Sequence, residues 1–155
     1  MKNVFFLTLG LVIIFGSIFL FLRQPVDREG QIKVVKINGI SIEVEVVETP
    51  KARAQGLSGR EVLPEGQGML FAFEKPGQYG FWMKDMNFAI DIVWIDERLQ
   101  VVGIEKRVSP ETFPQIFYPN RRVSYVLELP AGDSRNFGID IGQVVFLDTQ
   151  STQSE

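Results

Sequence analysis

Histidine and cysteine are absent from this 155-residue chain. Their absence excludes disulfides, thiolate nucleophiles, zinc sites built on imidazole or thiolate, the Ser-His-Asp triad and haem held by histidine. An all-oxygen Mg or Ca site is the metal chemistry that survives. Basic charge is also in short supply: 16 Lys and Arg stand against 19 Asp and Glu, for a net charge of −3. Phosphate binding needs a basic surface, so nucleic acid is not expected as a partner. Charged residues make up 23% and hydrophobic residues 45%, close to globular usage, which argues against wholesale disorder. No catalytic residue, metal ligand or cofactor can be assigned from what is left.

Long apolar runs are scarce as well, with one exception. From Val4 to Leu22 there is no charge, and Thr8 and Ser17 are the polar side chains. A helix of this length would span roughly 28 Å, close to the hydrocarbon thickness of a bilayer. The apolar core is longer than in a cleaved signal peptide, and Phe19-Leu20-Phe21-Leu22-Arg23 offers no small-residue cleavage pattern. The expectation is an uncleaved signal anchor, a single transmembrane helix over residues 1–23 that reaches the membrane through residues 4–22. Arg23, Arg28, Lys33 and Lys36 follow it, and the positive-inside rule would hold them in the cytoplasm. A folded domain can still cross behind a short n-region. The chain is therefore expected at the cell membrane with its domain on the extracytoplasmic side.

Residues 24–30 read as a polar linker and 31–147 as one β-rich domain, followed by a disordered polar tail over 148–155. Ile40, Ile42, Val44 and Val46 alternate with Ser41, Glu43 and Glu45, the period of a strand with one buried face. Asn38-Gly39 joins this run to residues 31–37 and is a strong hairpin signal, because type I′ turns need positive φ at both centres. Thr49-Pro50 reads as an N-cap with Pro at the first helical position, starting a short helix that Gly56 stops. Residues 61–68 form a loop. Strands are expected at 69–73, 80–84, 90–95, 99–104, 124–129 and 139–147, with a turn at Lys75-Pro76-Gly77. Glu105 to Asn120 is an irregular stretch apart from one turn capped at Ser109, and Asp133 caps a second tiny helix. The sum is a mainly β (α+β) fold: a compact, small β-barrel-like domain with two short helices, closed or half-closed so that few edges are exposed.

Several segments together resemble the family catalogued as domain of unknown function 192. They are Thr49-Pro50 with Arg53, Gly56 and Leu57; Gly68-Met69-Leu70-Phe71; Phe81-Trp82-Met83-Lys84; Ile90-Asp91-Ile92; Val126-Leu127-Glu128; Ala131-Gly132; and Gly138 with Gly142. The resemblance covers about residues 32 to 146 and implies a small β-rich domain, often exported, with no established activity. Two departures stand out. Asp85-Met86 replaces an Asn-Thr tendency, and Gly142-Gln143 replaces a Gly-Asp tendency.

Candidate ligand-binding residues follow from position and chemistry. On a strand, Phe81 and Met83 face one way and Trp82 and Lys84 the other. Trp82 beside Lys84 and Asp85 would make an aromatic plate with polar neighbours, suited to a sugar or peptide. The plainer alternative is that Phe81, Trp82 and Met83 fill the core while Lys84 snorkels. Asp91 and Glu128 each sit inside an apolar run, and a buried carboxylate needs a partner; for Asp91 the candidates are Lys84, Arg53 and Arg60. Arg53 could staple Glu48 or a carboxylate across the barrel.

Three functions compete at this point. The first is a non-catalytic module binding a cell-envelope ligand or a protein partner. The second is a cell-wall hydrolase or lyase using Asp91, Asp85 or Glu128 with Lys84, with Asp91 and Glu128 serving as an acid/base pair if they converge. The third is an assembly partner of another membrane protein.

Overall fold

The computed structural model describes residues 32–148. The expected anchor over 4–22, the linker over 24–30 and nearly all of the tail lie outside the described residues. Within them, no helix is long and apolar enough to cross a membrane.

The described residues open with the hairpin of β1 (Ile32–Ile37) and β2 (Ile40–Val47). Asn38 and Gly39 both have positive φ, 51° and 78°, as a type I′ turn requires. Ile42, Val44 and Val46 point inward as the alternation predicts, but Ile40 is exposed at the turn end. Helix α1 (Pro50–Gln55) follows. Thr49 accepts the Ala52 N–H at 3.1 Å, Pro50 opens the first turn, and Gly56 ends the helix at φ 49°. This helix buries none of its own residues, but it delivers Leu57 into the core.

Strand β3 (Gln67–Gly77) is longer than the apolar run alone suggests. A bulge between Ala72 and Gly77 resets its register, after which Gly77 pairs with Val123. Lys75-Pro76-Gly77 is therefore strand rather than turn. Arg122 fastens it through the Pro76 carbonyl, with Nε at 3.0 Å and Nη2 at 2.5 Å. Proline is tolerated beside a bulge because the ladder is already interrupted there. The strand expected over 80–84 shrinks to β4 (Phe81–Trp82), paired with β7 (Ile116–Phe117). Asp85 breaks it by adopting φ 54°.

Strands β5 (Ile90–Ile95) and β6 (Val101–Val108) form the second hairpin. The Asp96 side chain organises its turn by accepting the N–H groups of Arg98 and Gln100, each at 2.9 Å. A single 3-10 turn at Pro110–Thr112 interrupts the stretch before β7. Strand β8 (Val123–Pro130), helix α2 (Asp133–Asn136) and β9 (Val145–Asp148) complete the chain. Gly132, rather than Asp133, occupies the N-cap of α2. The expected last strand starts late because Gly138 and Gly142, at φ 62° and 93°, turn the chain first.

The main sheet has the order β6-β5-β8-β3-β2-β1-β9 and curls into a half-barrel. At one corner its outer strands touch. The Gly142 N–H reaches the Val101 carbonyl at 2.7 Å, and the Val145 N–H reaches that of Leu99 at 2.7 Å. Alternation along each strand then builds two cores. The concave interior takes Val35, Ile42, Val44, Leu70, Val93 and Leu127. The outer face carries Met69, Phe71, Ile92, Trp94 and Val126, covered by Leu57, Leu63, Phe81 and Met83. A cleft opens between this outer face and its cover.

Candidate functional site

The cleft encloses about 340 Å3 between the end of α1, strand β3 and the segment from Tyr79 to Trp82. Its walls are aromatic, and each ring is locked by another. Phe71 meets Phe81 edge-on at 4.8 Å, and Phe81 meets Trp94 at 5.4 Å. Phe73 and Tyr79 stack with centroids 3.6 Å apart. Gly80 is needed in this wall because a Cβ there would stand 2.6 Å from Ile116 Cγ2 and 2.7 Å from Tyr118 Cε1. Ring-to-ring packing of this kind keeps a cleft pre-formed.

Arg53 closes one side. Its Nη1 donates to the main-chain carbonyl of Glu48 and to that of Ala72 at 3.0 Å, and its guanidinium lies 4.9 Å over the Phe73 ring. The staple to Glu48 is thus made at least through the main chain. Trp82 forms the rim, half exposed, with Phe113 at 5.8 Å and Lys84 Nζ 6.0 Å from its ring centre. The alternation expected along 81–84 holds, since Phe81 and Met83 are buried while Trp82 and Lys84 are exposed.

Glu128 lies at the floor, 5% exposed. It pairs across the sheet with Met69 and Ile92, which places it on the outer face. Its Oε2 has no hydrogen-bond partner among the described residues. Burial pushes the carboxyl up to about 8, and the charge of Arg60 offsets this only in part. Arg60 is itself engaged by Glu45 at 2.6 Å. At neutral pH the floor therefore carries a protonated carboxyl, able to donate one hydrogen bond and accept others.

Asp91 is a different case, and the expected cation partner is corrected by the structure. None of Lys84, Arg53 or Arg60 reaches it. Four hydrogen bonds do: Arg107 N–H at 2.7 Å, Gly132 N–H and Ser134 N–H at 3.0 Å each, and Ser134 Oγ at 2.6 Å. A fully buried carboxylate is tolerated here because main-chain dipoles solvate it. Asp91 also shares its side of β5 with Val93 and Ile95, whereas Glu128 shares the side of Ile92. The two carboxyls are on opposite faces of the sheet, so the convergence that an acid/base pair requires does not occur.

Asp85 is exposed on the turn after β4. Its main chain is held by Gly59 N–H at 2.8 Å, and that of Lys84 by Ser58 Oγ at 2.9 Å. Of the six candidates, Arg53, Trp82 and Glu128 thus line one cleft. Lys84 overhangs its rim, Asp85 is beside it, and Asp91 is behind the sheet. Phe73 and Tyr79 were not singled out from the sequence, since a pair stacked across the bulged end of β3 leaves no spacing signal. Gln143, the second departure from the family pattern, clamps its own turn: Oε1 accepts the Asp140 N–H at 3.1 Å and Nε2 donates to the Gly138 carbonyl at 3.0 Å. Among the described residues, no group of three or more acidic side chains is placed to hold a metal ion.

A half-barrel with a covered outer face and one aromatic cleft defines a small mainly-β domain class. The chain matches the family model DUF192, "Uncharacterized ACR", over residues 33–147, and it belongs to that family. No curated protein matches it significantly. A crystal structure described as a putative transcription regulator from Sinorhizobium meliloti 1021 is similar at TM-score 0.72 and 26% identity, covering 78% of this chain and 97% of that one. A protein of unknown function from Novosphingobium aromaticivorans DSM 12444 is similar at TM-score 0.72 and 26% identity, covering 79% and 89%.

Proposed function

We propose that this chain is a non-catalytic binding module, tethered to a cell membrane by residues 4–22, that takes a small cell-envelope ligand in the cleft between α1 and β4. The observation that carries this reading is the Glu128 carboxyl, whose buried Oε2 has no hydrogen-bond partner among the described residues, at the floor of a pre-formed aromatic cleft. An unsatisfied buried group costs about 1–3 kcal/mol, which an incoming hydrogen-bonding ligand would offset. The tether rests on the uncharged run from Val4 to Leu22, and the extracytoplasmic placement on its short n-region. Hydrolysis by a paired Asp91 and Glu128 is disfavoured by their separation across the sheet. The regulator description of the Sinorhizobium meliloti protein is not carried over, because a net charge of −3 does not suit a nucleic-acid surface.

The test is a two-dimensional NMR titration of the full chain in detergent micelles with peptidoglycan fragments, oligosaccharides and short peptides. Shifts gathered around Trp82, Gly80, Gly56 and Glu128 are expected. Shifts confined to other surfaces, or none with any of these ligands, would contradict the cleft as the binding site. The tether is checked separately by cell fractionation: the full chain should sediment with membranes, and deletion of 4–22 should release it.

A further inference from the structure

The cleft's chemistry narrows its ligand, granted the binding reading above. We infer that the ligand is an uncharged molecule bearing an amide beside a methyl group, of the acetamido type found on N-acylated amino sugars. The amide carbonyl would accept from the Glu128 carboxyl, and the sugar ring would lie on Trp82.

Three features of the site select this chemistry. The first is its charge. A cationic ligand would meet Arg53 in the wall and Lys84 at the rim, both of like sign, with the exposed Asp85 beside the rim as the acidic side chain. An anionic ligand would find the two guanidiniums already engaged, Arg53 by the carbonyls of Glu48 and Ala72 and Arg60 by Glu45. It would also have to shed its water among Phe71, Phe81 and Met86. A neutral polar group avoids both penalties. The second feature is the floor. One protonated carboxyl among aromatic rings offers a single strong donor with apolar surface around it, which matches a carbonyl flanked by a methyl. A sugar hydroxyl alone would satisfy the carboxyl but leave the aromatic walls uncovered. The third is the rim. Trp82 is 50% exposed, which leaves indole surface for the C–H face of a ring, and Lys84 Nζ, 6.0 Å over its ring centre, could meet ring hydroxyls.

The experiment compares three ligands of one ring skeleton on the full chain in micelles: N-acetylglucosamine, glucosamine and glucose. NMR reads the Trp82 indole N–H and the main-chain amides of Gly80, Gly56 and Glu128. N-acetylglucosamine is expected to bind at least about tenfold more tightly than either of the others, the worth of one buried hydrogen bond with its methyl contact. Glu128→Leu removes the donor and should abolish that preference. Glu128→Gln keeps a donor and should preserve its order. Trp82→Ala, at an exposed position, should weaken binding of N-acetylglucosamine and glucose alike. Equal binding of glucosamine would overturn the amide inference in favour of a cation site. Equal binding of glucose would overturn it in favour of stacking alone. Absence of binding by all three would also overturn it, while the wider screen above decides separately whether the cleft binds anything else.

Discussion

At the scale of single residues, two buried carboxyls occupy one strand pair and have opposite characters. Asp91 is fully buried and surrounded by donors, while Glu128 is nearly buried and has an oxygen with none. The difference comes from the backbone around each. Opposite Asp91, β6 bulges: Ile90 pairs with Val108 and Ile92 with Glu105, leaving Arg107 at φ 53° with its N–H turned to the carboxylate. Opposite Glu128 the ladders are regular, so neighbouring amides are consumed by the strands. Removing Asp91 should therefore be severe. Asp91→Ala strands the N–H groups of Arg107, Gly132 and Ser134 together and is expected to lower stability by about 3 kcal/mol, read as a shift of the urea midpoint. A loss below about 1 kcal/mol would show that those donors find other partners. The sequence announced that both carboxyls were unusual, because each interrupts an apolar run. It could not announce which one is solvated by main chain, since that depends on a bulge sixteen residues away.

At the scale of elements, local chemistry was legible where one residue type decides the geometry. Asn38-Gly39 set the first hairpin, and Thr49-Pro50 with Gly56 set α1 at both ends. Thr49→Ala should cost about 1 kcal/mol through loss of the cap to Ala52, measurable by thermal unfolding. Boundaries were less legible where tertiary bonds extend or truncate a strand. Residues 75–77 became strand because Arg122 and Val123 reach them, and 139–142 became turns because two glycines adopt positive φ. The β4–β7 ribbon is the element that shapes the cleft, and Gly80 sets how closely its strands approach. Gly80→Val is expected to push Ile116 and Tyr118 aside, at a cost of about 1–3 kcal/mol, and to alter Trp82 fluorescence. Unchanged emission with unchanged stability would mean the ribbon is looser than its packing indicates.

For the whole molecule, the mainly β character and the partial closure followed from many short alternating runs, but the two-sided core did not. Strands such as β5, buried on both faces, read as continuous apolar runs, and nothing local says which face a carboxyl will take. Glu128 sits where the cover meets the sheet, so its protonation is coupled to the stability of the whole domain. In the folded chain it holds its proton up to about pH 8, against an ordinary value of 4.5. The unfolded chain therefore binds fewer protons across that window. This contribution to stability is complete below about pH 4.5 and is lost as pH rises through about 8. Glu128→Leu should erase it, so that the variant gains stability relative to the parent by on the order of 5 kcal/mol more at high pH than at low pH. An equal difference at both ends would place the titrating group elsewhere.

The neutral carboxyl at the cleft floor, with its Oε2 unpartnered among the described residues, is the feature on which the binding reading turns. It can be observed directly by following the carbon-13 shift of the Glu128 side-chain carboxyl with pH in the full-length protein. A midpoint near 8 is the expected result; a midpoint near 4.5 would show that water or an unseen partner already satisfies this group, and the case for a ligand in the cleft would fail with it.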